Sequence, residues 1–232
     1  MTFRLIAVLL FGVAVAGCAT APPAGPVPPR EPVPEPMPEP GPVAPETETK
    51  VTPDDDFTVD PGLIPVLADL GITKQMLIDK RLRPVAEATE LVVVQTDPDG
   101  RRHELTPVAA DAYRAMHAAA ADDGIVIGIV SAFRSVARQV QLVRRKLDSG
   151  ETIEQVLALS APPGFSEHHS GRVVDLMTPG SAVLEADFAD TAAYRWLEAN
   201  AKRFGFVLSY PENNPEGYLF EPWHWRYDGT AR

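Results

Sequence analysis

Half of the 24 prolines in this chain fall between Pro22 and Pro45, and this confines any fold to the residues beyond them. Proline removes a backbone donor and locks φ, so such a stretch can join neither a helix interior nor a central strand. Its Pro-Glu-Pro and Pro-Val-Pro repeats, followed by Asp54-Asp55-Asp56, contain nothing from which a core could be built. The composition predicts a disordered, polyproline-II-like tether over residues 19–60, about 130 Å long when extended at ~3.1 Å per residue. Nine acidic against two basic residues keep that tether solvated. The folded part is expected over residues 61–232, enough chain for one independent domain with its own core.

Ahead of the tether, Arg4 precedes a short apolar run from Leu5 to Val15, and Val15-Ala16-Gly17 supply small residues before Cys18. This is the layout of a secretion signal, and the run is too short to span a membrane comfortably. Val15-Ala16-Gly17-Cys18 resembles a bacterial lipobox, which implies a lipoprotein signal peptide over residues 1–17 and lipidation of Cys18. The chain is then expected on the outer side of a membrane, the periplasmic side in a Gram-negative envelope. Cys18 is the single cysteine, so neither an internal disulfide framework nor a multi-cysteine zinc ribbon is available. A formal charge of -11 provides no basic footprint for nucleic acid.

Within the folded part, Leu63 to Leu70 and Lys74 to Leu82 predict short helices split by Gly71. Leu91 to Val94 predicts a strand that turns through Asp97-Pro98-Asp99-Gly100 into a partner. Thr106 and Pro107 form an N-cap and first-turn pair. The helix they open is expected to bury Val108, Ala112, Met116 and Ala119 and to stop at Gly124. Ile125 to Val130 predicts a buried strand, and Ser135 to Leu147 a helix ended by Gly150 with a shorter one after it. Arg172 to Met177 alternates as a strand, with Val173, Asp175 and Met177 on one face. Thr191 to Arg203 predicts a helix, and Phe206 to Tyr210 and Leu219 to Tyr227 predict strands. Interspersed helices and strands with a hairpin give an α+β class, a compact single domain around a mainly antiparallel sheet. No internal repeat is present.

Two stretches carry the chemistry. Ser166-Glu167-His168-His169-Ser170-Gly171 leads into Asp175, and Glu221-Pro222-Trp223-His224 follows some fifty residues later. His168, Asp175 and His224 have the composition of a catalytic zinc site, three protein ligands with a fourth position for water, and Glu221 is the candidate general base. Asp175 inside an apolar strand is costly unless a cation or donors satisfy it, so a metal or a paired arginine would each account for it. Gly164 and Gly171 bracket the loop that would aim His168 inward. His169 faces away from His168 if the segment is extended and is excluded as a ligand. His103 and His117 lack surrounding motifs and are expected as surface or partly packed residues. In a regular strand Glu221 and His224 would face opposite sides, so a bulge or an edge position at Pro222 is expected to turn both inward. Trp223 and Trp225 are expected as a substrate wall or as core aromatics.

A resemblance extends this reading. Ser131-Ala132-Phe133-Arg134-Ser135 with Gln139 looks like the Ser-Gly-Tyr-Arg-Ser…Gln motif of VanY-type zinc D-alanyl-D-alanine carboxypeptidases. Pro162 to Gly171 with Asp175 is similar to their Ser-x-His-x-x-Gly-x-x-x-Asp metal motif, and Phe204 to Pro211 and Glu221 to Tyr227 complete the series in order. Ala132 and Phe133 stand for the usual Gly and Tyr, Arg172 for a small or apolar residue, and Ser209 where many members carry Arg. The resemblance covers about Leu105 to the C-terminus and implies the Hedgehog/DD-peptidase fold. It implies zinc on His168, Asp175 and His224, Glu221 as base and Arg134 as stabiliser of the reacting carbonyl. Gln139, Ser166 and Trp223 are the expected substrate contacts. The implied partners are peptidoglycan stem peptides and, through Cys18, a membrane, with the chain a monomer. The implied activity is removal of a C-terminal D-alanine. Peptidoglycan endopeptidase or L,D-carboxypeptidase activity on the same fold is the alternative, and an inactive cell-wall-binding domain is the non-enzymatic one.

Overall fold

The computed structural model describes residues 57–229; the expected signal segment, Cys18 and the tether through Asp56 lie outside them. In chain order the elements are α1 (Ile64–Asp69), α2 (Lys74–Asp79), β1 (Val92–Thr96), β2 (Arg102–Leu105), α3 (Pro107–Asp122) and β3 (Gly128–Ser131). There follow α4 (Val136–Asp148), α5 (Ile153–Leu159), β4 (Val173–Met177), α6 (Ala192–Asn200), β5 (Phe206–Leu208) and β6 (His224–Tyr227). Short 3-10 turns cover Glu167–Ser170, Ala186–Asp190 and Ala201–Phe204. Among the described residues β1 and β2 form a hairpin, and the other four strands form a sheet ordered β3-β4-β6-β5 with every neighbour antiparallel. This is the α+β architecture that the sequence predicts.

Local chemistry sets most helix starts. The Ser135 hydroxyl accepts from Arg138 N to cap α4, Thr152 and Gln155 form a reciprocal capping box on α5, and Thr191 caps α6. Rotation of α3 follows another rule. Ala109, Ala110, Tyr113, Met116 and Ala120 are its buried residues, whereas Val108 is 63% exposed and Ala112 and Ala119 only border the core. An alanine-rich helix has little amphipathic contrast, so the two large side chains, Tyr113 and Met116, decide which face turns inward.

Three strands are shorter than their apolar runs. β3 begins at Gly128, with Val126 left 61% exposed. β5 ends at Leu208. β6 begins only at His224, because Glu221-Pro222-Trp223 forms a turn closed by His224 N to Glu221 O at 3.1 Å. Pro222 has no N–H for a ladder, and the chain turns there instead of bulging. His103 is buried at 4% exposure rather than near the surface, its Nε2 2.9 Å from Asp97 Oδ2 in the hairpin turn. His117 is exposed as expected.

The apolar core has two parts. The larger joins α3 and α6 to Val174, Leu176, Phe206 and Trp225 of the sheet. The smaller joins α1 and α2 to Val143, Val156, Leu157, Phe165, Tyr210 and Tyr218. Phe57 stacks on Phe165 at 6.1 Å, so packing reaches ahead of Pro61. Alternation along β4 turns Val174 and Leu176 toward the larger cluster and Asp175 to the opposite face. Register then decides what stands beside Asp175: it pairs with Ser131 on β3 and His224 on β6, a polar row crossing three strands.

Candidate metal centre

The row on the sheet supplies two of the three expected ligands, because residues directly opposite on antiparallel strands bring their Cβ atoms within about 5 Å. His224 Nδ1 lies 3.0 Å from Asp175 Oδ1. The third comes from the loop before β4. His168 sits in the 3-10 turn Glu167–Ser170, which ends on Gly171 at φ 62°, where a Cβ would come within 3.0 Å of Leu91. That turn presents His168 Nε2 to the other carboxylate oxygen, Asp175 Oδ2, at 3.1 Å. Both imidazoles and the carboxylate are buried, and one ligand atom from each lies within 4.8 Å of the others.

Each imidazole is also held from behind. His168 Nδ1 donates to Ala132 O at 2.6 Å, leaving Nε2 for Asp175 or a metal. His224 Nε2 faces Glu167 Oε2 at 3.0 Å, and Arg226 Nε holds the other Glu167 oxygen at 2.9 Å. A ligating histidine whose far nitrogen is fixed by a carbonyl or carboxylate is a recurrent feature of protein metal sites. His169 is not turned outward as an extended segment would have it, and it still offers nothing to a metal. It is fully buried, donating Nδ1 to Arg134 O at 2.6 Å and accepting from Gly164 N at 3.1 Å, and so fastens the loop to the segment after β3.

The electrostatics fit a cation. Burial alone would raise the Asp175 pKa, yet the two imidazoles hold it well below the usual carboxylate range. Burial lowers His168. It opposes charge on His224 as well, but hydrogen bonds to Asp175 and Glu167 outweigh it and push that imidazole up to about 10. Asp175 and Glu167 thus favour positive charge at His224, as they would favour a cation held on the same donors. Glu221 stands 3.5 Å from His224 Nδ1, and burial pushes its carboxyl up to about 7 against the pull of His224.

These side chains line a cavity of about 360 Å³ together with Ser166, Trp223, Tyr210 and Arg134. A larger apolar groove by α1 and α2 is lined, among the described residues, by apolar side chains, two threonines and Lys74, and lacks the cluster of ligating groups found here. Arg134 donates to Gln139 Oε1 at 3.1 Å and to Ser131 Oγ at 3.0 Å, and its Nη2 is 3.8 Å from Asp175. Gln139 also lines the cavity, with both ends of its amide engaged: Oε1 on Arg134 and Nε2 on Ala161 O at 2.6 Å. Ser166 is buried in the wall, and Trp223 is half-buried there, while Trp225 belongs to the core. Sequence reasoning missed Glu167 and the rings of Tyr210 and Tyr218. A charged residue directly before a candidate ligand was a usable signal for Glu167. The Tyr210 ring, 4.5 Å from the His224 ring, had none.

Fold and site define a class: an α+β domain whose two imidazoles and carboxylate could hold one metal ion, with the Glu221 carboxyl beside them. The family model for D-alanyl-D-alanine carboxypeptidase (VanY) matches residues 102–230, and the chain belongs to that family. The putative carboxypeptidase YodJ of Bacillus subtilis (strain 168) is 35% identical over 125 residues, covering 52% of this chain and 45% of that one. The chain spans about half the length of the curated relatives YodJ and the Enterococcus faecalis D-alanyl-D-alanine carboxypeptidase. Among solved structures, the LdcB LD-carboxypeptidase matches with a TM-score of 0.57 at 30% identity, over 64% of this chain and 73% of that one. A VanY D,D-pentapeptidase variant in complex with Zn(II) matches with a TM-score of 0.50 at 29% identity, over 64% and 84%.

Proposed function

We propose that this chain is a zinc-dependent carboxypeptidase removing the C-terminal D-alanine from peptidoglycan stem peptides, anchored outside the cytoplasm through lipidated Cys18. The observation that carries the reading is the buried Asp175 carboxylate, faced by His168 Nε2 and His224 Nδ1 with Glu221 beside them. Two imidazoles and a carboxylate suit zinc, and a solved VanY relative holds Zn(II). Bound to His168, Asp175 and His224, zinc would supply Lewis acidity at the scissile carbonyl and acidify a water.

The chain's own residues do the rest. Glu221 takes the proton of the attacking water and returns it to the leaving amine, and a carboxyl near neutrality serves both directions. Arg134, fixed by Gln139 and Ser131, balances the charge that develops on the carbonyl oxygen. Gln139 serves binding through the guanidinium it holds, while Ser166 and Trp223 form wall against the peptide.

The likeness to LdcB favours one second reading, cleavage of an L,D bond from a shorter stem. Incubating the zinc-loaded chain with tetrapeptide and pentapeptide stems, and weighing the products, separates these readings. D-alanine released from the pentapeptide, with a large drop when its terminal carboxylate is amidated, is the expected result. Glu221→Gln should keep zinc and lose about 100-fold or more in turnover. Cleavage of the tetrapeptide alone would transfer the assignment to L,D chemistry, and dipeptide or longer fragments would transfer it to an endopeptidase. No product from any stem would leave a wall-binding module.

A further inference from the structure

The cavity holding His168, Asp175 and His224 runs along α4, and it contains a cation that the hydrolytic chemistry leaves unused. Gln139, Leu142 and Lys146 all line it. Spacings of three and four put them on one face of the helix. Gln139 is locked to Arg134 at the chemical end. Seven residues at ~1.5 Å each carry Lys146 about 10 Å farther along the helix axis.

Lys146 is half-buried, and its hydrogen-bond partner is neutral: Nζ donates to Ser160 Oγ at 2.9 Å, with no ion pair to it among the described residues. The carboxylates that line the cavity, Asp175 and Glu221, are engaged with the histidines. A base in the last turn of a helix is favoured by the free carbonyls there. Arg145 meets that need in the same turn while pointing to solvent. Lys146 instead lines the cavity, where one hydrogen bond to a hydroxyl leaves the other ammonium donors open to an anion.

We propose that Lys146 and Ser160 bind a carboxylate of the substrate on the amino-terminal side of the scissile bond. The proposal rests on the peptidase reading. The substrate's terminal carboxylate lies only about one residue, ~3.5 Å, beyond the scissile carbonyl, a poorer match to this spacing. Ten ångströms is about three residues of extended chain. Stem peptides carry two carboxylates in that range: the α-carboxylate of a γ-linked D-glutamate, and the distal carboxylate of a diamino-diacid at the third position. Both present the same chemistry to an ammonium and a hydroxyl.

The test uses four synthetic pentapeptide stems ending in D-alanyl-D-alanine, with the two upstream carboxylates free, amidated singly, or both amidated. KM and kcat for D-alanine release are measured with the zinc-loaded full chain, Lys146→Met and Lys146→Arg, after their melting temperatures are compared. For the parent chain, amidating the recognised carboxylate should raise KM about tenfold with little change in kcat, the scale of one partly screened charged hydrogen bond. Lys146→Met should raise KM about tenfold on the free stem and show no further loss on amidation, and Lys146→Arg should recover most of the difference. The single amidation that carries the loss assigns the source. Equal discrimination between free and amidated stems by the parent chain and Lys146→Met would overturn the proposal. So would a fall in kcat at constant KM, or a Lys146 effect that followed the terminal carboxylate. No D-alanine release from any stem by the parent chain would overturn the peptidase reading, and this proposal with it.

Discussion

Replacing Glu167 with alanine tests whether the site is built to hold a metal or is only a buried ion-pair network. In the structure one carboxylate oxygen faces His224 Nε2 at 3.0 Å and the other accepts from Arg226 at 2.9 Å, with the side chain 23% exposed. Losing it frees the back of the His224 imidazole without touching a candidate ligand. Such partners are worth 10–100-fold in metal affinity, or about 1.4–2.7 kcal/mol. Residual solvent access and the remaining His224–Asp175 contact put Glu167→Ala near the middle of that range, and Glu167→Gln, which keeps an acceptor, at its lower end. Competition for zinc against a chromogenic chelator reads the affinity directly. A second readout needs no metal. The His224 imidazole is pushed up to about 10 in part by Glu167, so in the metal-free variant its pKa should fall, as followed by nitrogen NMR. The sign follows from which form the carboxylate stabilises: removing an anion destabilises the imidazolium. By the same linkage, His224 stabilises the metal-free fold fully below its ordinary 6.5, and the contribution fades as pH rises toward about 10. Unchanged zinc affinity together with an unchanged His224 titration would refute this account.

Substitutions elsewhere in the chain have defined outcomes too. His168→Ala and His224→Ala should each abolish stoichiometric zinc by metal analysis. His169→Ala should retain it while destabilising the fold by about 1–3 kcal/mol in denaturant titration, since Arg134 O and Gly164 N both lose a buried partner. Gly205→Ala should lower stability by at least about 1–2 kcal/mol, because Gly205 sits at φ 79° and a Cβ would fall 2.7 Å from the Tyr227 ring; an unshifted melting temperature would contradict this. Cys18→Ser should move the protein from the membrane fraction to the soluble one without harming catalysis, and a mature N-terminus downstream of Cys18 would contradict the lipobox reading.

Local chemistry made much of the molecule legible in one dimension. The helix starts at Ser135 and Thr191, the Asp97 to Gly100 turn, and the strand around Asp175 each depend on a few residues, so the order of residues reveals them. The residue types at His168, Asp175, His224 and Glu221 marked the chemistry for the same reason, since ligand and base roles depend on functional groups. Tertiary structure decided what those groups meet. That Asp175 faces His224 across β4 and β6 is a matter of strand register between residues 49 apart. That Glu221 turns inward follows from the break at Pro222, and that α3 hides Tyr113 rather than Val108 follows from what packs on it. Glu167 behind His224 and Lys146 left facing the cavity are relations between separate segments. Such relations carry no periodicity, because folding enforces them through packing and register and not through any neighbour in the chain.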